Sequence, residues 1–151
     1  MYSRVSMKTL RSITYLFVTV AFAGGLVAAE KKVVQPKGST PSKNFSAGIR
    51  FGDTLYVSGM TGNGKDGKFA EKFEDEVKQC LDNIGAVLKE GGYSFANAVA
   101  VQVYLTDMEL FPRMNSVYVT VLPEPRPTRT TVGVAKLVGT ARIEITVTAR
   151  K

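Results

Sequence analysis

The chain has 151 residues, a formal charge of +7, one cysteine and no histidine. The missing histidine excludes Ser-His-Asp and Cys-His nucleophilic catalysis and most zinc sites, and the single thiol excludes an intrachain disulfide. Any chemistry therefore runs on guanidinium, carboxylate and hydroxyl groups, the backbone and water.

The first 29 residues read as a targeting segment outside the fold. Arg4, Lys8 and Arg11 make a basic start, residues 13–28 are uncharged and apolar, and Val27, Ala28 and Ala29 offer the small residues of a cleavage site. A run of 16 uncharged residues is long for a signal core and short for a membrane span. The segment is a cleavable export signal or, uncleaved, an N-terminal anchor, and the expected destination is periplasmic or secreted. Its removal leaves 122 residues carrying +4, enough for one compact domain. That modest positive balance suits small anionic ligands. No basic run interleaved with aromatics points to nucleic acid.

Residues 30–43, with Pro36, Gly38 and Pro41, read as a flexible lead-in, and residues 44–151 as the domain. Residues 46–50 and 54–59 form a hairpin that turns at Gly52-Asp53. In the loop over 61–68, Gly62, Gly64 and Gly67 match a dinucleotide-binding spacing, and Gly62 to Lys68 match the start of a phosphate loop. The phosphate loop needs Ser or Thr where Phe69 stands, and the dinucleotide motif needs a larger parallel array, so the segment reads as a turn.

Next, Phe73, Val77, Cys80, Leu81, Ile84, Val87 and Leu88 recur at helical spacing over residues 70–90, with Gly91-Gly92 as the stop. Cys80 on that apolar face is a packed thiol rather than a nucleophile. Residues 97–106 form a strand with Val99, Val101, Val103 and Leu105 on one face and Ala98, Ala100 and Tyr104 on the other, which calls for cover on both sides. A second helix begins near Pro112, places Leu110, Met114, Val117, Tyr118 and Val121 on one face, and ends at Pro123, Pro125 and Pro127. Two strands close the chain, within 127–135 and 142–149. The order ββαβαββ is a single α+β domain. Two helices cover one face of its sheet, so the other face predicts a second copy of the chain.

Each closing strand carries one charge where a half-buried strand usually holds a neutral side chain: Arg129 and Glu144. Ile143, Ile145 and Val147 share one face, so Glu144 points to the other with Thr146 and Thr148. Two readings stand on these residues alone. They form an ordinary cross-strand ion pair, or they clamp a small carboxylate and handle a proton or water beside it.

The stretches FSAGIRFGDTLYVSG (45–59), MNSVY (114–118), PTRTTVGVA (127–135) and RIEITVTA (142–149) occur in the order and spacing of the RidA (YjgF) family of enamine/imine deaminases, which the chain resembles over residues 41–151. The resemblance implies the family's chorismate mutase-like α+β fold, a homotrimer with clefts between subunits, and no metal or organic cofactor. By position, Arg129 matches the arginine that holds the substrate carboxylate, and Glu144 the acidic residue that positions water or shuttles a proton. Ser58 and Gly59 match main-chain ligand contacts, and Asn115 an asparagine near the cleft. Thr131 stands where several members carry a reactive cysteine. Phe45 departs from the family, in which many active members have tyrosine and its phenolic donor. The implied activity is hydrolysis of small enamine/imine acids of the 2-aminoacrylate type at their C=N bond, giving a 2-keto acid and ammonia. The alternative is a non-catalytic trimeric binder of small carboxylates in the cell envelope. An endoribonuclease or translation-inhibitor role, described for some relatives, ranks third, since export removes the substrate and the charge pattern is weak.

Overall fold

The computed structural model describes residues 30–151, and the targeting segment expected at 1–29 lies outside the described residues. The strands are β1 (Lys31–Val34), β2 (Gly48–Phe51), β3 (Thr54–Thr61), β4 (Ala98–Leu105), β5 (Thr128–Gly133) and β6 (Ile143–Arg150). The helices are α1 (Phe73–Glu90) and α2 (Phe111–Val121). They form one sheet in the order β1-β2-β3-β6-β4-β5, antiparallel except for the β4–β5 pair. The expected α+β architecture is present with one strand more than ββαβαββ. The extra strand is β1, inside the stretch read as a flexible lead-in. Its four residues pair in register with β2, and Val34 closes the core there while Lys31, Lys32 and Val33 stay exposed. Three exposed residues in four hid the strand among polar lead-in residues.

β6 lies between β3 and β4 and alternates buried and half-buried side chains along its length. Ile143, Ile145, Val147 and Ala149 point into the core with Leu55 and Val57 of β3 and Val101, Val103 and Leu105 of β4. The apolar stripe of α1 covers them, with all seven of its expected residues buried. α1 starts at Phe73, three residues later than its apolar periodicity suggests. The carbonyls of Ala70 and Glu71, which a longer helix would turn inward, instead accept hydrogen bonds from the Arg142 guanidinium at 2.6 and 3.1 Å. α2 contributes Met114 and Tyr118 to the same core, with Pro112 in its first turn, where a missing N–H removes no helical bond. Val99, expected on the inner face of β4, is 47% exposed because the ladder to β6 slips between Ala98 and Ala100.

Among the described residues the opposite face carries no helix. Tyr56 and Val132 are exposed there, and Ala100, Gln102 and Tyr104 are half-buried.

The two helices are tied at the surface by Arg113, which donates from Nε and Nη2 to the Glu74 carboxylate at 2.7 and 2.9 Å. These hydrogen bonds hold Glu74 at a pKa of about 2, against an ordinary value of 4.5. A depressed carboxyl contributes stability above its unfolded pKa and loses it as pH falls toward the folded one. Wild type should therefore lose stability relative to Glu74→Gln as pH drops from about 4.5 to about 2, while the two curves run parallel above pH 6. Urea denaturation across that range reads the difference, and identical pH profiles would rule the pair out as a contributor.

Candidate functional site

Glu144 sits near the start of the central strand, opposite Thr61 of β3 and Tyr104 of β4. β3 is irregular between Val57 and Met60, and the two residues in that irregularity are Ser58 and Gly59. Ser58 fixes the bend: its backbone N–H donates to the Ala47 carbonyl at 3.0 Å and its hydroxyl to the Ser46 carbonyl at 2.7 Å. Gly59 is demanded by space, since a Cβ there would fall on the Glu144 carboxylate. Phe45, one residue before Ser46, is 60% exposed at the same end. Among the described residues Glu144 takes part in no ion pair.

Arg129 lies on the edge strand β5. Its guanidinium carbon stacks 4.6 Å from the Tyr118 ring centre and 5.5 Å from that of Phe111, and among the described residues it too is in no ion pair. Among the described residues the buried hydroxyls of Tyr118 and Thr131 have no hydrogen-bond partner. Burial pushes the Tyr118 phenol up, and the neighbouring Arg129 charge offsets part of that rise although no well-formed hydrogen bond joins the two groups. Asn115 lies one turn beyond Phe111 and three residues before Tyr118, on the stripe of α2 that faces Arg129. Two hydroxyls without partners thus lie on the same side of the sheet as a stacked guanidinium that is in no described ion pair, a donor set of the kind an oxyanion accepts from.

The structure corrects the expectation that Arg129 and Glu144 meet on neighbouring strands. β4 separates their strands. Residues opposite one another in a ladder point to the same face, and Val101 pairs with both Arg129 and Val147, while Val103 pairs with both Thr131 and Ile145. Arg129 and Thr131 are therefore in phase with the core residues of β6 and out of phase with Glu144. Within one chain, Arg129, Thr131 and Asn115 gather on the helix side. Glu144 and Gly59 gather on the open side, with Ser58 and Phe45 at their edge. This also excludes the cross-strand ion pair between the two.

Sequence reasoning missed Tyr118 as a site residue and placed it in the core. The signal available was chemical: a tyrosine at a core position of α2 has to place its hydroxyl somewhere. Cys80 is buried, donates to the Met60 carbonyl at 3.0 Å, and has its thiol pushed up by burial, which disfavours a nucleophilic thiolate. Among the described residues no group of three or more His, Cys, Asp or Glu side chains gathers where a metal could sit.

A model of the family described as Endoribonuclease L-PSP matches residues 37–151. Reactive Intermediate Deaminase A, chloroplastic, of Arabidopsis thaliana is 30% identical over 147 residues, 95% of this chain and 78% of the relative. A 2-iminobutanoate/2-iminopropanoate deaminase of Dermatophagoides farinae is 31% identical over 118 residues, 76% of this chain and 92% of the relative. Among solved structures, RidA from an Antarctic Psychrobacter superposes with a TM-score of 0.75 at 30% identity, covering 80% of this chain and 99% of that one.

The contact between Gly59 and Glu144 makes a direct prediction. Gly59→Ala should fold, because the colliding group is the far end of a side chain, but at a loss of about 1–3 kcal/mol and with the carboxylate displaced. Chemical denaturation and a crystal structure of the variant test this. An unmoved Glu144 would show that the glycine is not there to admit it.

Proposed function

The chain belongs to the Endoribonuclease L-PSP family, also called RidA or YjgF, and on that premise we propose that it is a hydrolytic deaminase of small 2-imino acids. Relatives named as imine deaminases support the reaction class. The observation that carries the residue assignment is the division of the site. A guanidinium with two hydroxyls unpartnered among the described residues lies on one face of the sheet, and a carboxylate packed on a glycine lies on the other. One chain cannot close these halves on a ligand. A ring of copies can, if each presents its Arg129 side to the next copy's Glu144 side, a head-to-tail contact that closes by rotation. The apolar open face supplies the buried surface, and the number three comes from the family resemblance.

In this reading Arg129 takes the substrate carboxylate in a bidentate grip that stays charged at any working pH. Thr131 and Asn115 line that end, while Ser58, Gly59 and the Phe45 ring line the other. Glu144 accepts a proton from water as its oxygen bonds to the imine carbon. With the imine entering protonated, the C=N electron pair passes to nitrogen to give the carbinolamine, the Glu144 carboxyl returns its proton to that nitrogen, and the C–N bond breaks to release ammonia as the hydroxyl loses its proton to Glu144 and becomes the carbonyl of the 2-keto acid. The imine carbon is already electrophilic, so the scheme calls on no metal or cofactor. The basic start and apolar run of residues 1–29 support export, by signal or anchor.

Phe45 supports a second reading, a carboxylate binder without turnover. It brings an exposed ring to the Glu144 end and no hydroxyl.

Freshly generated 2-iminopropanoate, followed against its spontaneous loss, decides between them. Arg129→Ala should raise KM at least about tenfold, and Arg129→Lys should recover little because a point charge does not reproduce the fork. Glu144→Gln should lower kcat about a hundredfold or more with binding retained. If wild type binds a 2-keto acid without turnover and Phe45→Tyr gains turnover, the binder reading stands; absence of both binding and turnover removes both. A stable monomer by light scattering at micromolar concentration would remove the shared site.

A further inference from the structure

α1 carries three polar side chains at i, i+4 and i+7, Glu76, Cys80 and Asn83, on the stripe that meets the strand ends beside Glu144. All three make hydrogen bonds to those strand ends. Glu76 is fully buried, the one charged residue in the described core, and its two oxygens accept from the Arg142 backbone N–H at 2.7 Å and the Arg142 Nε at 2.6 Å. Arg142 immediately precedes β6, two residues before Glu144, and its carbonyl in turn accepts from the Thr106 N–H at 3.1 Å.

Across the ladder, Cys80 donates to the carbonyl of Met60, and Asn83 Nδ2 donates to the carbonyls of Thr61 and Asn63 at 2.9 and 3.0 Å. Gln79 donates to Asn83 Oδ1 at 2.8 Å, which leaves the amide nitrogen aimed at those carbonyls. Thr61 is the ladder partner of Glu144. Gly62 packs so closely on the first turn of α1 that a Cβ would strike the Glu76 backbone carbonyl. Glu144 is thus bracketed: one helix grips its own strand two residues upstream and grips its partner strand directly opposite.

We propose that Glu76, Cys80 and Asn83 are positioning residues that set where the Glu144 carboxylate lies over Gly59. A fold that needed only stability would fill this stripe with apolar side chains. A buried carboxylate carries a desolvation penalty that an arginine and a backbone donor offset only in a fixed geometry. The stripe spends that penalty at the one place on α1 where a strand register becomes the position of a functional group. The catalytic consequence rests on the deaminase reading; the geometric consequence does not.

The test uses the full chain as wild type, Glu76→Gln and Asn83→Ala, with Glu144→Gln as the assignment control. The first readout is the side-chain carboxyl carbon resonance of Glu144, assigned by its loss in Glu144→Gln. The second is the split of imine hydrolysis into kcat and KM. Both variants should move the Glu144 resonance, leave the Thr131 methyl resonance on the opposite face in place, and lower kcat about tenfold to a hundredfold with KM held within about twofold. A purely structural role predicts lower melting temperatures with the Glu144 resonance and kcat at wild-type values, and that result overturns the proposal. Should Glu76→Gln fail to fold, Asn83→Ala decides the question, since Asn83 is half-buried and bears no charge. If wild type shows no turnover, the deaminase reading fails on its own, and the resonance still decides the positioning.

Discussion

A strand hydrogen-bonded along both edges cannot slip by one residue without turning its whole set of side chains over, and β6 is such a strand. Its register against β3 and β4 buries Ile143, Ile145, Val147 and Ala149, and the same register sends Glu144 to the far side. A fully buried Ile or Val side chain is worth about 1.5–3 kcal/mol relative to exposure. Three of them, with the smaller Ala149 in phase, hold the register against any single polar substitution on the other face. The Glu144 carboxylate is therefore placed by apolar residues that lie on the opposite face of its strand.

The polar clamp at the head of β6 does what those apolar residues cannot. Hydrophobic burial is non-directional and fixes which face a strand presents, not where its end lies to within a fraction of an ångström. Glu76 and Arg142 supply direction. The two partners differ in environment, Glu76 fully enclosed and the Arg142 side chain 34% exposed. Most of the desolvation therefore falls on the carboxylate, and the partly wetted guanidinium is anchored by its further bonds to the carbonyls of Ala70 and Glu71. Such a pair adds little net stability over an apolar substitute. Its use is geometric.

Periodicity made the elements legible: the apolar stripe of α1, the inner face of β6, that of β4 from Val101 onward, and the end of α2 at its prolines followed from local pattern. Strand order did not, because alternation says which residues share a face of one strand and nothing about which strand lies beside it. Arg129 and Glu144 are 15 positions apart with one strand each, and only the parallel insertion of β4 between them sets their phases against each other. β1 was hidden by its exposed lysines. Glu76 was hidden among Glu74 and Asp75, acidic residues that would serve equally well as a solvated first turn.

Arg129 is oriented by aromatic stacking rather than by an ion pair among the described residues. Stacking on Tyr118 and Phe111 gives the guanidinium about 0.5–2 kcal/mol, enough to hold its orientation and less than a desolvated carboxylate would provide. No described acidic side chain competes for it. The hydroxyls of Tyr118 and Thr131 are likewise unpartnered, and burial without a partner costs about 1–3 kcal/mol for each. Structural polar groups are normally satisfied within the chain, so two unpartnered hydroxyls near a cation in no described ion pair are what the proposed carboxylate site calls for. In that reading a ligand's anionic group, arriving on the face opposite Glu144, pairs the guanidinium and accepts from both hydroxyls in one step.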